Sequence, residues 1–314
     1  MNIERQGSVA MAHSIRTIGK WRLRSRTLDL GRRTLVMGVV NITPDSFSDG
    51  GAFLDPQRAV AHAVRLLDEG ADLIDLGAES TRPGAKAGGP PERVAVSAEE
   101  EQARLLPVIE GIAQARPEAI LSIDTYKAAT ARLVLEAGAE IVNDVSGFSW
   151  DPGLASVCAE FGCGVVLMHT RGRPEEWRDQ APLGPEALLE TVRTGLANSL
   201  AAANAAGIAS EFIVLDPGYG FGKRFDDNYT LLAHQGELHS LGRPLLAGVS
   251  RKSFLGRTLA SLHGGKSAPV EMRETASIAA MVAAILLGAS IVRVHNVRPA
   301  VEAARIADAV LAAG

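Results

Sequence analysis

From residue 35 onward, short runs of aliphatic residues alternate with longer segments in which apolar positions recur every three or four residues. Continuous apolar runs are typical of parallel strands buried on both faces, and the three-to-four spacing is typical of helices. The predicted strands read LVMGVVN, ADLIDLG, AILSID, EIVNDV, GVVLMH, FIVLDPG, LLAGVS and IVRVH. The predicted helices span residues 55–69, 98–115, 127–137, 152–161, 184–206, 228–241, 274–288 and 298–312.

Eight strands, each followed by a helix and with no break in composition, predict an α/β protein with a single closed (β/α)8 TIM barrel. We place the barrel domain at residues 20–314, with a short strand pair at 20–34, and take residues 1–19 as a flexible N-terminal arm. The alternative is an open sheet that binds a dinucleotide. It is disfavoured because no Gly-x-Gly-x-x-Gly follows the first strand. The glycines of GYGFG come only after the sixth strand.

Composition narrows the functional classes. A net charge of −4 gives no general attraction to nucleic acid or to anionic lipid. No run of eighteen apolar residues is present, which argues against a membrane span, and the N-terminus lacks the apolar core of a secretion signal. Only Cys158 and Cys163 occur, without a metal-site spacing, which favours a reducing compartment. We therefore expect a cytoplasmic protein that acts on small molecules and binds neither nucleic acid nor membrane.

Polar residues stand at the carboxyl end of every predicted strand, where TIM barrels carry their reactive groups. A single Asp at such a position is often only a helix cap, but eight polar strand ends together argue for a functional site. These residues are Asn41, Glu79, Asp124, Asn143 with Asp144, His169, Asp216, the SRKS segment, and Arg293 with His295.

The acceptors in this set suit a flat heterocycle. Asp124, Asn143 and Asp216 supply two carboxylates and an amide, which can recognise adjacent N–H donors of a purine or a pterin. The alternative is that each carboxylate simply pairs with a structural arginine. The three residues together predict a ligand-binding pocket.

Other polar groups suit an anion. Arg293 and His295 alternate along the last strand and so share a face, and Asn41 belongs to the neighbouring strand once the barrel closes. Two cationic donors beside an amide predict a phosphate or diphosphate site, although a strand-end His is more often only packed. Lys252 and Ser253 stand where a short helical turn begins, and such a start can bind an anion.

Seven stretches, taken in order over residues 37–297, resemble the dihydropteroate synthase family. They are MGVVNITPDSFSDGG, DLGAESTRPGA, SIDT, NDVSG, LDPGYGFGK, SRKSFLG and RVHNV. The resemblance implies a (β/α)8 barrel and a transferase of folate and tetrahydrofolate biosynthesis that sulfonamides target. This enzyme condenses 4-aminobenzoate with (7,8-dihydropterin-6-yl)methyl diphosphate to give 7,8-dihydropteroate and diphosphate. It further implies Mg²⁺ as cofactor and a homodimer.

The resemblance also implies roles for individual residues. Pterin binding falls to Asp124, Asn143, Asp216 and Lys252, and diphosphate binding to Asn41, Thr81, Arg82, Arg293 and His295. Aminobenzoate binding falls to Phe47, Thr81, Pro83, Phe221, Lys252 and Ser253. The catalytic residues would be Asp124, Lys252, Arg293 and His295, and Mg²⁺ would bind Asn41, with Asp45 and Asp49 as further candidate ligands.

The polar stretch NITPDSFSDGG is longer than a simple connection requires. In the family, this loop and STRPGAKAGG close over the site, which explains their Gly and polar content. We expect diphosphate to depart before the amine attacks, although direct displacement stays open.

Three positions depart from the family's usual wording, namely Ala78, Asp227 and Asn296. Asn296 stands where an Asp is usual, and it could alter the charge or tautomer of His295.

A pterin-binding methyltransferase would lack the TPDSFSDGG and SRKS motifs, and retention of the site residues speaks against a silent paralogue. The apolar TASIAAMVAAILLG suits either a dimer interface or the barrel wall. The segment around Trp177, RGRPEEWRD, is predicted to be an exposed loop.

Overall fold

The computed structural model describes residue 16 and residues 19–43, 55–80 and 96–313. Eight parallel strands close into a barrel in chain order, and the last strand pairs with both the first barrel strand and the strand before it. They are β3 (Leu35–Asn41), β4 (Leu73–Gly77), β5 (Leu121–Asp124), β6 (Ile141–Asp144), β7 (Gly164–Met168), β8 (Ile213–Asp216), β9 (Leu245–Ala247) and β10 (Ala289–Val294). The predicted barrel is confirmed.

Helices surround the barrel. They are α1 (Pro56–Asp68), α2 (Ala98–Ala115), α3 (Ala128–Glu136), α4 (Leu154–Phe161), α5 (Pro185–Ala205), α6 (Asp227–Ala233), α7 (Ser253–Thr258), α8 (Glu274–Leu286) and α9 (Val297–Ala313). Each predicted helix has its counterpart, and α7 is the short turn expected in SRKSFLG. None of the helices in the described part of the chain is long and apolar enough to cross a membrane.

The single helix predicted over 228–241 is wrong. The α-helix ends at Ala233, and Gln235–Leu241 forms a 3₁₀ helix instead. Gln235 is fully buried, accepts a hydrogen bond from the Tyr219 hydroxyl at 2.6 Å, and donates to the Ala284 carbonyl at 2.6 Å. These tertiary contacts, which helical periodicity does not encode, accompany the change in winding.

A two-stranded antiparallel hairpin precedes the barrel, as predicted, and consists of β1 (Gly19–Arg22) and β2 (Thr27–Leu30). Trp21 is fully buried and donates its indole N–H to the Phe212 carbonyl at 2.8 Å. It packs with residues from the starts of the barrel strands, so the hairpin closes the amino-terminal end. Arg16, within the segment predicted as an arm, is buried and pairs with Asp308 at 2.8 Å.

The alternation of each strand turns every second side chain into the barrel. One inward layer is apolar and is formed in part by Leu73, Ile141, Val214 and Ile291. The alternate residues of each strand point outward and pack against the helices. Two positions further along the same strands, the inward residues are Asp75, Asn143, Asp216 and Arg293. The period of the strands thus places a polar layer directly above an apolar one, at the carboxyl end.

Candidate active site

Asp75 is the centre of a buried polar network. It is fully buried, and its Oδ1 accepts a hydrogen bond from the Ser122 hydroxyl at 2.6 Å. Its Oδ2 accepts from Arg293 Nε at 2.6 Å and from Asn143 Nδ2 at 3.1 Å. Arg293 Nη2 donates to Asp124 Oδ2 at 2.9 Å. The network therefore joins four strands of the barrel and fixes three of the predicted site residues relative to one another.

Sequence analysis missed Asp75. The signal was present, because Asp75 interrupts the apolar run ADLIDLG, and a carboxylate in a buried strand needs partners. Asp75 does not stand at a strand end, where TIM barrels usually carry their reactive groups, because the polar layer begins one inward position earlier.

Burial shifts the pKa values of Asp124, Lys252 and Asp216 in the mouth. Burial raises the pKa of Asp124 to about 7, against the lowering effect of Arg293 and with a further rise from Asp75. Burial, followed by the charge of Arg293, lowers the pKa of Lys252 to about 8, although Asp216 and Asp124 oppose that change. Burial also raises the pKa of Asp216. Such shifts cluster at functional sites, which supports this mouth as the site.

Two glycines keep space between the polar side chains. A Cβ at Gly248 would lie 3.6 Å from Asp216 Oδ2. A Cβ at Gly77 would lie 3.5 Å from Asp124 Cβ and 3.8 Å from Asn41 Oδ1. Asn41 and Asp124 therefore flank the same glycine, and any larger residue there would fill the space that a ligand could use.

Lys252 and Phe221 meet at the edge of the mouth. The Lys252 Nζ lies 3.9 Å from the centroid of the Phe221 ring, within cation–π range. Gly220 adopts a φ of +82°, and a Cβ there would come within 3.2 Å of the Lys252 Cδ. The Gly220 N–H donates to Asn228 Oδ1 at 2.6 Å, which holds the loop in place. Ser253 is exposed at the start of α7, beside Lys252.

His295 contacts the segment that carries Lys252. Its Nδ1 lies 3.0 Å from the Ser250 Oγ. Arg251, the next residue, has a φ of 59°, which is strained for a side chain other than glycine. The Arg251 N–H donates to Ser277 Oγ at 2.8 Å, and its carbonyl accepts from Arg273 Nη1 at 3.0 Å. These two bonds hold the strained residue between Ser250 and Lys252.

Three of the eight polar strand ends, Glu79, Asp144 and His169, make their contacts with the surrounding structure. Glu79 pairs with Lys127 at 2.5 Å. The Asp144 carboxylate accepts hydrogen bonds from backbone N–H groups of the turn that follows β6, including that of Ser146 at 2.8 Å. The His169 ring packs on α5, where a Cβ at Gly195 would lie 2.3 Å from its Cδ2. Period-two alternation already turns Asp144 away from its neighbour Asn143.

The segment around Trp177 is predicted to be an exposed loop, but Trp177 itself is 8% exposed and packs on Phe221, so the prediction is wrong for this residue.

Six of the predicted site residues lie outside the described residues, and their roles stay predictions. They are Phe47, Thr81, Arg82, Pro83, Asp45 and Asp49. Within the described ranges, no three His, Cys, Asp or Glu side chains are grouped as a metal site. Both cysteines are buried and free.

The chain is similar to known proteins over most of its length. A family model described as pterin binding enzyme matches residues 37–295. The chain is similar to the dihydropteroate synthase of Escherichia coli K12, with 44% identity over 278 residues, which are 88% of this chain and 92% of the relative.

Solved structures are similar over nearly the whole chain. Dihydropteroate synthase from Yersinia pestis, in complex with a sulfonamide drug, has a TM-score of 0.83 and 41% identity, covering 94% of this chain and 100% of that one. The enzyme from Xanthomonas albilineans with 4-aminobenzoic acid has a TM-score of 0.80 and 40% identity, covering 94% of this chain and 99% of that one.

Proposed function

The chain belongs to the pterin-binding enzymes, and within them to the dihydropteroate synthases, and we propose that the polar layer around Asp75 is where it binds the pterin. It is a transferase of folate synthesis that joins 4-aminobenzoate to the methylene carbon of a dihydropterin diphosphate. The family and function inferred from sequence are confirmed.

Pterin recognition is supported by one observation above all, the buried acceptor Asp216 beside Asn143 in the inward polar layer. Asp216 is 6% exposed, its Oδ1 accepts from the Gly218 N–H at 2.7 Å, and its Oδ2 bonds no described residue. Oδ2 is therefore available to accept hydrogen bonds from a ligand in the mouth, and the 2-amino and N3–H groups of the pterin would donate them. Asn143 would read the adjacent edge, since Asp75 already orients its amide.

Diphosphate departure needs positive charge where negative charge develops. Arg293 uses Nε and Nη2 within the protein and leaves Nη1 without a hydrogen bond to the described residues. We assign Nη1 and the His295 imidazole to the leaving diphosphate. The carbon–oxygen bond of the methylene breaks with its electrons going to diphosphate, and the carbocation that remains is delocalised into the pterin and stabilised by the Asp124 carboxylate. The aryl amine then donates its lone pair to the methylene carbon and loses a proton to water.

Mg²⁺ suits the donors present. It prefers oxygen ligands and usually keeps several waters, so it needs few protein groups when phosphates are bound. Asn41 offers an amide oxygen that flanks Gly77 across from Asp124. Asn41, with Asp45 and Asp49 as further candidates, would hold the ion, and a bound Mg²⁺ would neutralise diphosphate charge.

The amine substrate would lie against Phe221 and the stem of Lys252, with its carboxylate at Ser253 and the start of α7. The support is the contact between the Lys252 ammonium and the Phe221 ring, which leaves the edge of the mouth both aromatic and cationic. Thr81, Pro83 and Phe47 would complete this subsite, and Thr81 and Arg82 would reach toward the diphosphate.

We further propose a cytoplasmic homodimer with small molecules as its other partners. Large apolar side chains are exposed on α9 and in the segment before α8, namely Leu262, Met272, Ile306 and Val310. Ile306 and Val310 are four residues apart and therefore share one face of α9, and an exposed apolar helix face suits an interaction surface. Sedimentation of the wild type and of Ile306→Glu tests this, since a dimer through α9 predicts a monomeric variant and an unchanged sedimentation coefficient would contradict it.

Asp216→Asn tests the pterin assignment, with Asp226→Asn on the exposed surface as the matched control. Calorimetric titration with the dihydropterin diphosphate and Mg²⁺ should show about 10²-fold weaker binding for Asp216→Asn, since a paired, desolvated charge is lost. Equal affinities for the two variants would refute the assignment.

A further inference from the structure

A buried indole supports the aromatic ring that faces Lys252. Trp177 lies in the segment after β7, and its N–H donates to the Gly172 carbonyl at 3.2 Å. Its ring meets that of Phe221 edge to face, with centroids 5.1 Å apart and planes at 79°. The same Phe221 ring has the Lys252 Nζ 3.9 Å from its centroid. Trp177, Phe221 and Lys252 therefore form one continuous contact from the outer segment to the site.

The indole is tightly confined. A Cβ at Gly222 would lie 3.0 Å from Trp177 Cδ1 and 2.8 Å from the Arg171 carbonyl oxygen, so the two segments touch backbone to side chain. Arg171 Nη1 also donates to the Gly222 carbonyl at 3.4 Å. Trp177 therefore packs at the junction of the two segments, next to Phe221.

Phe221, in contrast, is only half-buried, so its ring depends on its neighbours for a fixed rotamer. A ring that is free to rotate must be ordered when a ligand binds against it, at a cost in conformational entropy. An edge-to-face neighbour removes that cost before the ligand arrives.

We infer that Trp177 is a positioning residue for the amine substrate, because it holds the Phe221 ring in the place where 4-aminobenzoate would pack. This inference rests on the proposed placement of aminobenzoate against Phe221. The pterin is held by Asp216 and Asn143, neither of which contacts the indole. Trp177 should therefore affect one substrate and spare the other.

Three variants of the full chain test this. Trp177→Leu removes the ring, Trp177→Phe keeps one, and Trp21→Leu removes another buried indole that donates to a backbone carbonyl at the opposite end of the barrel. We expect Trp177→Leu to raise the KM for 4-aminobenzoate about two- to tenfold, the range of an aromatic pair, and Trp177→Phe to restore it to within about twofold. The KM for the dihydropterin diphosphate and kcat should change by less than about twofold.

The inference is overturned if Trp177→Leu leaves the aminobenzoate KM unchanged, raises both KM values equally, or behaves like Trp21→Leu. Absence of turnover in the wild type would contradict the proposed reaction instead. In that case, calorimetric titration of the same variants with 4-aminobenzoate in the presence of the dihydropterin diphosphate still decides the role of Trp177, and equal affinities would overturn it.

Discussion

Arg293 donates from Nε to the fully buried Asp75 at 2.6 Å, across the closure of the barrel between its eighth strand and its second. The same guanidinium contacts Asp124 at 2.9 Å. Asp75, to which no contact with a substrate is assigned, thus orients two groups that would bind substrate. They are Arg293, assigned to the leaving diphosphate, and the amide of Asn143, assigned to the pterin.

Asp75→Asn tests this dependence. The substitution keeps the shape but removes the charge, so Arg293 loses a buried partner, at a cost of about 1.5–3 kcal/mol for a charged hydrogen bond. We expect kcat/KM for the dihydropterin diphosphate to fall about 10- to 100-fold. Glu160→Gln, which removes the charge from an exposed pair with Arg132, is the control and should leave kcat/KM unchanged. An equal effect of the two substitutions would exclude a special role for Asp75.

The pH profile of activity should be bell-shaped. Asp124, with a pKa of about 7, must be ionised to stabilise the developing cation, so kcat/KM should rise as the pH passes that value. Lys252, with a pKa of about 8, must be protonated to donate to the pterin, so activity should fall above it. Lys252→Arg should remove the alkaline limb, because guanidinium stays charged. If the alkaline limb persists in this variant, a group other than Lys252 causes it.

Stability should also depend on Asp124. Its folded pKa of about 7 exceeds the unfolded value of about 3.9, so the folded state binds the proton more tightly. That stabilising contribution is present at low pH and is lost as the pH rises from the unfolded pKa through about 7. Asp124→Asn mimics the protonated form. Denaturant titration gives the difference in the free energy of unfolding between Asp124→Asn and the wild type. This difference, variant minus wild type, should be about 1–3 kcal/mol larger at pH 8 than at pH 5. A difference that does not change with pH would contradict the raised pKa.

Ser277 should matter through the backbone of Arg251. Ser277→Ala removes the acceptor of the Arg251 N–H and leaves a residue with positive φ less well held, with an expected loss of about 1 kcal/mol of stability and a several-fold fall in kcat/KM. Arg251→Gly relieves the strain, so the double variant should recover much of the lost stability. If the double variant is no more stable than Ser277→Ala, strain at Arg251 is not the cause.

The barrel could be predicted from the sequence because buried parallel strands and amphipathic helices leave strong periodic signals. The site could be predicted only in part. Asn143, Asp216 and Arg293 share one inward layer because strand alternation is regular, and that much follows from spacing. Asp124 bonds Arg293 from the carboxyl end of β5.

Asp75 and Trp177 escaped prediction for different reasons. Asp75 lies inside a strand, and only the inward register that aligns it with Asn143 reveals its role. Trp177 lies in a polar, Arg-rich segment, and its burial depends on a loop more than forty residues away. Local patterns do not encode such contacts between distant segments.

We propose that this barrel mouth joins an aryl amine to a dihydropterin with loss of diphosphate. The most direct measurement is diphosphate release from (7,8-dihydropterin-6-yl)methyl diphosphate with Mg²⁺, with and without 4-aminobenzoate, using the wild type and Asp216→Ala. We predict aminobenzoate-dependent release by the wild type, matched by formation of dihydropteroate and lost in the variant. A wild type that binds the pterin yet releases no diphosphate when 4-aminobenzoate is added would contradict this reaction.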